Sequence, residues 1–118
     1  AETSLMGIFI YKEKYIYAND AFMDMSGYSL NEILLMRPWE LVEKSSQEMT
    51  EIAARRRLEG EELPRTYKDI EVVRKNGEIR TMRMMTQTIK YEGEFAGLGT
   101  IMDITDIRET EEQLKLLA

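Results

Sequence analysis

The pattern of apolar residues at the start of the chain predicts a β-hairpin. The runs MGIFIY (residues 6–11) and KYIYA (residues 14–18) are rich in residues that favour strands. Only Lys12 and Glu13 separate the two runs, which is short enough for a tight turn. We therefore expect two antiparallel strands here.

The next part of the sequence predicts two short helices. Asn19 is a good N-cap, and Gly27 is suited to the left-handed residue that ends a helix. Residues 29–32 (SLNE) have the spacing of a capping box, so they should open a second helix. That helix should run through Met36 and be ended by Pro38, because the residue before a proline disfavours helical geometry.

A longer helix is predicted between residues 45 and 60. Residues 45–48 (SSQE) repeat the capping-box spacing, and Gly60 can end the helix. The residues that fall at helical intervals, and so should share one face, are Met49, Ile52, Ala53 and Arg56.

Beyond Pro64 the period changes from helical to strand-like. Residues 66–74 alternate, with Ile70 and Val72 on one face. Asn76 and Gly77 then give a strong hairpin signal, since both central residues of a type I′ turn need positive φ. Residues 66–74 should therefore form the third strand, and a fourth is expected to follow the turn.

Two more strands complete the predicted sheet. Residues 79–91 alternate, and residues 96–102 form a last strand after a turn at Glu92 and Gly93. In the first of these strands Met82, Met84 and Thr86 share a face, opposite Thr81, Arg83 and Met85. The glycines of Gly97-Leu98-Gly99 lie inside a strand, which indicates close approach of another backbone or a ligand rather than a phosphate loop. Two strands, several helices and three strands predict an α+β domain, with a five-stranded antiparallel sheet and helices on one face.

The C-terminal residues predict an exposed helix. Asp103 or Thr105 can cap it, and Asp106 and Glu109 place negative charge at its positive end. A coiled-coil seam runs along it at Ile107, Thr110, Leu114 and Leu117. Because two heptads or fewer are marginal alone, we expect the start of a longer connector.

Composition excludes several kinds of chemistry. The 118 residues are enough for one domain and too few for two. They include neither cysteine nor histidine. Disulfides, thiolate catalysis, zinc–thiolate sites and histidine acid–base catalysis are therefore excluded, and no catalytic constellation is found. The net charge of −6 argues against nucleic acid, and the short basic run at residues 55–57 is interpreted as a solvated helix face. No apolar run is long enough to span a bilayer, so we expect a soluble segment of a longer protein.

Five motifs, taken with the order of elements, resemble those of PAS domains. They lie in order along nearly the whole chain: YANDAF (17–22), GYSLNEI (27–33), RKNGEIR (74–80), YEGEFAGLGT (91–100) and DITDIRE (103–109). The resemblance is to the sensory PAS modules of bacterial signalling proteins, including two-component histidine kinases and diguanylate cyclases. It implies strand order 2-1-5-4-3 and a ligand cavity between sheet and helices. It also implies a PAS domain over residues 1–103, a signalling helix from residue 104, a cytoplasmic location and a covalently linked effector domain.

Departures from the family's patterns limit the cofactor. Haem-binding relatives need a histidine on the long helix, and this chain contains none. Light-sensing flavin relatives need a cysteine for the photoadduct and a glutamine at the position of Ile101. Haem ligation by histidine and a cysteinyl–flavin photoadduct are therefore excluded, whereas a non-covalent flavin or a small metabolite stays open.

Ten residues are candidates for lining the ligand pocket. They carry the large or apolar side chains expected to face the concave interior: Phe22, Tyr28, Trp39, Leu41, Ile52, Ile70, Val72, Met82, Met84 and Ile101. The alternative for each is an ordinary filled core. Trp39 is the best single candidate, because a buried indole N–H needs a partner. The nine methionines suit either an irregular core or an adaptable binding surface.

The resemblance also implies a relay and a dimer. Asp103 and Thr105 would pass a change in the sheet to the terminal helix. The outer sheet face around Thr81, Arg83 and Met85 would form a homodimer surface, together with Ile107 and Leu114 of the helix. Three functions stay open at this point: a sensor with a ligand-filled cavity, a ligand-free dimerisation scaffold, and a redox sensor holding flavin non-covalently.

Overall fold

The computed structural model describes residues 6–118 and shows one antiparallel sheet of five strands. The strand order is β2-β1-β5-β4-β3, as predicted. The strands in chain order are β1 Gly7–Tyr11, β2 Tyr15–Ala18, β3 Lys68–Val73, β4 Ile79–Tyr91 and β5 Glu94–Asp103. The predicted domain starts at residue 1, and residues 1–5 lie outside the described residues.

All helices but the last lie between β2 and β3 in the chain. They are α1 Asp20–Ser26, α2 Leu30–Ile33 and α3 Gln47–Leu58, with 3₁₀ turns at Pro38–Glu40 and Lys44–Ser46; α4 Thr105–Leu116 follows β5. Two predicted caps are confirmed. The Asn19 side chain accepts a hydrogen bond from the Phe22 amide, and Ser29 forms a reciprocal capping box with Glu32.

The predicted capping box at residues 45–48 is wrong. A 3₁₀ turn precedes α3, and the carboxylate of Glu43 accepts the Ser45 amide at 2.9 Å. The side chain of Ser46 makes no capping hydrogen bond. Because the Ser45 amide donates to Glu43, two residues earlier, it is not available to the side chain of Glu48, and the predicted capping box does not form.

The predicted type I′ turn at Asn76 and Gly77 is also wrong. Gly77 has a φ of 89°, but Asn76 does not have positive φ. Instead the Asn76 side chain accepts the Glu78 amide at 2.9 Å, which stabilises a longer loop over residues 74–78. Both central residues have positive φ at the β4–β5 turn, where Glu92 has 52° and Gly93 81°.

The core lies between the inner face of the sheet and α1–α3. Met82 on β4 and Ile33 on α2 are fully buried there. The rings of Phe9, Tyr15 and Phe22 lie with their centroids 5.3–5.6 Å apart. Such aromatic contacts add stability beyond the area that they bury.

The two glycines of β5 lie beneath aromatic rings of β1. Phe9 pairs with Gly99 and Tyr11 with Gly97 across the sheet. A Cβ on Gly97 would lie 2.1 Å from Cζ of Tyr11, and one on Gly99 would lie 2.1 Å from Cζ of Phe9. The close approach predicted for this segment is therefore made by aromatic side chains, not by another backbone. Both rings are held flat against the sheet as a result.

Candidate functional site

A cavity of about 230 Å³ lies between the inner face of the sheet and α3. Its floor is formed by residues of all five strands, and its other walls by α1, α3 and the segment that leads into β3. Seven of the ten predicted pocket residues contribute to the lining: Phe22, Leu41, Ile70, Val72, Met82, Met84 and Ile101. Apolar side chains from both layers therefore surround a space that the core leaves open.

The structure places three of the predicted residues outside the cavity wall. Ile52 lies on the far side of α3 and is 51% exposed. Tyr28 packs against the edge of the core. Trp39 is buried, but the guanidinium groups of Arg37 and Arg55 lie over its ring, 6.0 and 5.1 Å from the ring centre. These cation–π contacts stabilise the buried indole where it lies, and Trp39 does not line the cavity.

The predicted buried face of α3 is displaced around the helix. The residues of α3 and its approach that line the cavity are Ser46, Met49, Thr50, Ala53, Ala54 and Arg57. Their spacing is that of one helical stripe, and most are small or polar. A search for large apolar residues favours Ile52 and misses this stripe. The signal that reveals it is the periodicity of small residues, which leave space rather than fill it.

The basic run at residues 55–57 does not form one solvated face. Arg55 pairs with Glu13 and Glu51, and Arg56 pairs with Glu61, all near the surface. Arg57 instead points into the cavity wall, where its Nη1 donates to Tyr11 Oη at 3.4 Å. The prediction of a solvated face therefore holds for two of the three arginines and is wrong for the third.

Two tyrosine hydroxyls add polarity to the cavity floor. Tyr15 donates to the carbonyl oxygen of Pro38 at 3.3 Å, and burial raises its pKa. Burial also raises the pKa of Tyr11, although the neighbouring Arg57 opposes that shift. Both hydroxyls therefore keep their protons at neutral pH, and each remains a hydrogen-bond donor.

Residues 103–105 form a hydrogen-bonded joint between the sheet and α4. The carboxylate of Asp103 accepts Arg80 Nε at 2.8 Å and the Thr105 amide at 2.9 Å. The Thr105 hydroxyl accepts the Thr81 amide at 2.8 Å, while the Ile104 amide donates to the Thr81 carbonyl. The start of α4 is thus fixed to β4 at both of its predicted relay residues.

Burial and pairing act in opposite directions on Asp103. Burial alone would raise the pKa of its carboxyl, but the Arg80 guanidinium and the Thr105 hydrogen bonds outweigh it and lower the pKa. The carboxylate is therefore charged at neutral pH and contributes most to the joint in that form.

The predicted dimer residues lie on the open side of the sheet and on α4. Arg83 forms an ion pair with Asp69 at 3.0 Å, and the side chains of Thr81 and Met85 are partly exposed. Ile107 is 54% exposed and Leu114 is 60% exposed. Within the described chain nothing covers the apolar stripe of α4.

Comparison with known proteins identifies the family. The family model described as "PAS domain" matches residues 5–106. The chain belongs to the PAS domain family. PAS domains are regulatory modules, and the cavity and the joint described above are features of this one.

Solved PAS structures share the fold at low sequence identity. The PAS domain of an HTR-like protein from Haloarcula marismortui is 22% identical and has a TM-score of 0.72, covering 87% of this chain and 84% of that one. A domain of the sensory box sensor histidine kinase/response regulator from Geobacter sulfurreducens is 25% identical, with a TM-score of 0.68 and 86% of each chain covered. The LOV domain of a blue-light activated histidine kinase from Erythrobacter litoralis is 20% identical, with a TM-score of 0.65, covering 87% of this chain and 99% of that one. No curated protein matches the chain.

Two further features of residues 6–118 concern membranes and metals. No helix in this part of the chain is long and apolar enough to cross a bilayer. The same residues bring no three carboxylate side chains together in an arrangement that could hold a metal ion.

The lowered pKa of Asp103 predicts a pH-dependent cost for its replacement. A carboxyl whose pKa is lower in the folded state stabilises the fold above its unfolded pKa of about 3.9, and this stabilisation is lost as the pH falls through the folded value. We expect Asp103→Asn to lower the free energy of unfolding by about 1–2 kcal/mol at pH 7. The loss should shrink as the pH falls below about 4. Urea unfolding at a series of pH values measures both quantities.

The matched control is Asp106→Asn, next to the same joint. Asp106 lies 3.5 Å from Arg80, and its side chain is 84% exposed, so this pair contributes little. We expect a change within about 0.5 kcal/mol at every pH. An equal loss for Asp103→Asn at pH 7 and at pH 3 would show that the charged carboxylate does not hold the joint.

Proposed function

We propose that this PAS domain is a sensor module that binds a small ligand in its cavity and passes the change through α4 to an effector domain. One observation carries the proposal. The cavity wall and the joint share the same two strands, because Ile101 and Met82 line the cavity while Asp103 pairs with Met82 across the sheet. A ligand that displaces Met82 or Ile101 therefore acts within two residues of the attachment of α4.

The relay follows from hydrogen bonds to both strands. Asp103 belongs to β5 and binds Arg80 of β4, while Thr105 of α4 binds Thr81 of β4. A shift of β4 against β5 must change this set of contacts together. The ligand can move the balance between two such arrangements only by as much as its affinities for them differ.

The open volume supports a small ligand over the two alternatives. A dimerisation scaffold needs no cavity, and the apolar lining of a space of about 230 Å³ stays in contact with water unless a ligand covers it. Pockets for drug-sized ligands usually begin at about 300 Å³. A flavin mononucleotide, with three fused rings and a ribityl phosphate, belongs to that larger class. A small metabolite is the better match.

The family resemblance supports a proposal for the effector. We propose a PAS domain over residues 1–103 and a signalling helix from residue 104, linked to a histidine kinase or a diguanylate cyclase. The sensor histidine kinase from Geobacter sulfurreducens that contains a similar domain supports the kinase. The domain has a regulatory role, and we propose that it acts in the cytoplasm of a bacterium.

The first experiment tests whether the cavity holds a ligand. The purified chain is denatured and its supernatant is analysed by mass spectrometry, with an absorption spectrum taken beforehand to detect flavin. We expect a colourless small molecule in near-stoichiometric amount. Ala53→Leu, which extends a side chain into the cavity, should reduce its recovery at least about tenfold.

Ile52→Leu is the matched control, one position earlier on the exposed side of α3. It should retain the molecule at the level of the unaltered chain. A supernatant that is empty for all three proteins would favour the scaffold, and yellow protein would favour the flavin sensor.

The second experiment tests the relay with hydrogen exchange. We expect the amides in the first turns of α4 to exchange at different rates in the protein as purified and after the bound molecule has been removed. Asp103→Ala should abolish this difference in α4 while the sheet amides keep theirs, because the contact with β4 is lost. A difference in α4 that persists in Asp103→Ala would exclude the joint as the route.

We also propose that two copies associate through the outer sheet face and α4. Partly exposed apolar side chains on that face, including Met85 and the 36%-exposed Met102, continue toward the exposed stripe at Ile107 and Leu114. Two short heptads are too weak to associate alone, so the sheet face must contribute.

Sedimentation equilibrium tests this association. We expect the apparent mass to rise from 13.8 kDa toward twice that value with concentration, and Met85→Glu to suppress the rise. Leu35→Glu is the control, because Leu35 is 72% exposed and lies after α2, away from that face. Equal suppression by both variants would contradict the assigned surface.

A further inference from the structure

One arginine differs from all the others in the chain. Eight of the nine arginines form ion pairs with carboxylates. Among residues 6–118 Arg57 has no carboxylate partner, and its Nε is buried without a hydrogen-bond acceptor. Its one polar contact is the 3.4 Å hydrogen bond to Tyr11 Oη, which is long for a charged donor.

The position of Arg57 at the end of α3 does not explain why its Nε is buried. Cations in the last turn of a helix interact favourably with the helix dipole. Arg55 and Arg56 already lie in that turn, and both extend toward solvent and carboxylates. An arginine can therefore interact with the helix dipole without burying its Nε. A buried and unsatisfied charged donor needs a separate reason, because it costs free energy in the absence of a partner.

The surroundings of Arg57 leave one positive charge without compensation inside the cavity. The nearby walls are formed by rings and small side chains, including Tyr11, Phe9 and Ala54. Asp69 also lines the cavity, but Arg83 and Arg108 bind its carboxylate. Lys68 lies at the exposed mouth. The interior therefore presents one guanidinium in an apolar setting.

We propose that the cavity selects a monocarboxylate with a compact apolar body, whose carboxylate is bound by Arg57 and Tyr11. This inference rests on the proposed function, in which the cavity takes a small ligand. The fork of a guanidinium matches the two oxygens of a carboxylate. A single unpaired cation balances a monoanion, whereas a phosphate dianion would need a second cation in the interior.

The hydroxyl of Tyr11 completes the recognition of the anion. It accepts the hydrogen bond from Arg57, so its own proton is free to be donated to a ligand oxygen. Burial raises the pKa of Tyr11, with Arg57 opposing, and the hydroxyl keeps that proton at neutral pH. The ring is fixed over Gly97, so the donor is held in place before the ligand arrives.

The volume sets the size of the apolar body. An engineered protein cavity of about 150 Å³ binds benzene. The present cavity of about 230 Å³ therefore accommodates a benzene-sized ring with a short acid chain. 3-Phenylpropionate is a suitable probe, and 3-phenylpropionamide is its neutral counterpart of nearly the same shape.

Calorimetric titration of the ligand-stripped chain with both probes tests the inference. We expect the unaltered chain to prefer the acid over the amide by at least about tenfold in Kd, since hydrogen bonds to charged groups are the stronger ones. Arg57→Met should abolish that preference, Arg57→Lys should retain part of it, and Tyr11→Phe should reduce it. Arg56→Met, the adjacent substitution on the exposed side of α3, should leave it unchanged.

The outcomes separate this inference from the proposed function. Equal binding of acid and amide, unaffected by Arg57→Met, overturns the selection of an anion and leaves the ligand-binding cavity intact. Release of a neutral molecule by the purified chain would likewise overturn the selection of an anion and leave the ligand-binding cavity intact. Failure of both probes to bind, with nothing released from the purified chain, overturns both. If Arg57→Met does not fold by circular dichroism, the comparison of Arg57→Lys and Tyr11→Phe with the unaltered chain decides between these results.

Discussion

The close contact between the aromatic rings of β1 and the two glycines of β5 determines the geometry of the interior. Gly97 and Gly99 lack side chains on the inner face, so the rings of Tyr11 and Phe9 lie directly over the backbone of the neighbouring strand. Rings held in this way extend along the sheet and do not stand upright into the core. Space remains between them and α3, and this space is the cavity. An alanine at either position would force a ring into it.

The same contact connects the sheet to Arg57, the one arginine of residues 6–118 without a carboxylate partner. Tyr11 reaches Arg57 only because its ring lies flat over Gly97 and its hydroxyl is directed toward the end of α3. On the other side of the sheet centre, β5 continues to Asp103 and the joint with α4. The central strand β5 therefore contributes Ile101 to the floor of the site and also carries the attachment of the exit helix.

Local sequence patterns were sufficient for most of the fold and only part of the site. Caps at Asn19 and Ser29, the alternation of β4 and the terminal helix depend on interactions between near neighbours, which a sequence displays directly. The failures at residues 45–48 and at Asn76 arose where a side chain bound a nearby amide and displaced the expected motif.

The cavity is harder to predict than the fold because one of its walls consists of small residues, which leave space instead of filling it. Large apolar residues were the natural candidates, and seven of them do line it, but its far wall is a stripe of small residues on α3. The inward turn of Arg57 depends on Tyr11, 46 positions earlier in the chain, and no local pattern contains that contact. Trp39 contacts the guanidinium groups of Arg37 and Arg55, and the contact with Arg55 of α3 is not visible in the sequence around Trp39.

Different residues shape the cavity and attach α4, and this separation has an evolutionary consequence. Ala53, Ala54 and Thr50 determine how deep the cavity is, and none of them takes part in the hydrogen bonds at Asp103 or Thr105. A single codon change on α3 can thus alter which molecules fit while the output connection stays as it was. Descendants of such a domain can diverge in stimulus and still drive the same machinery.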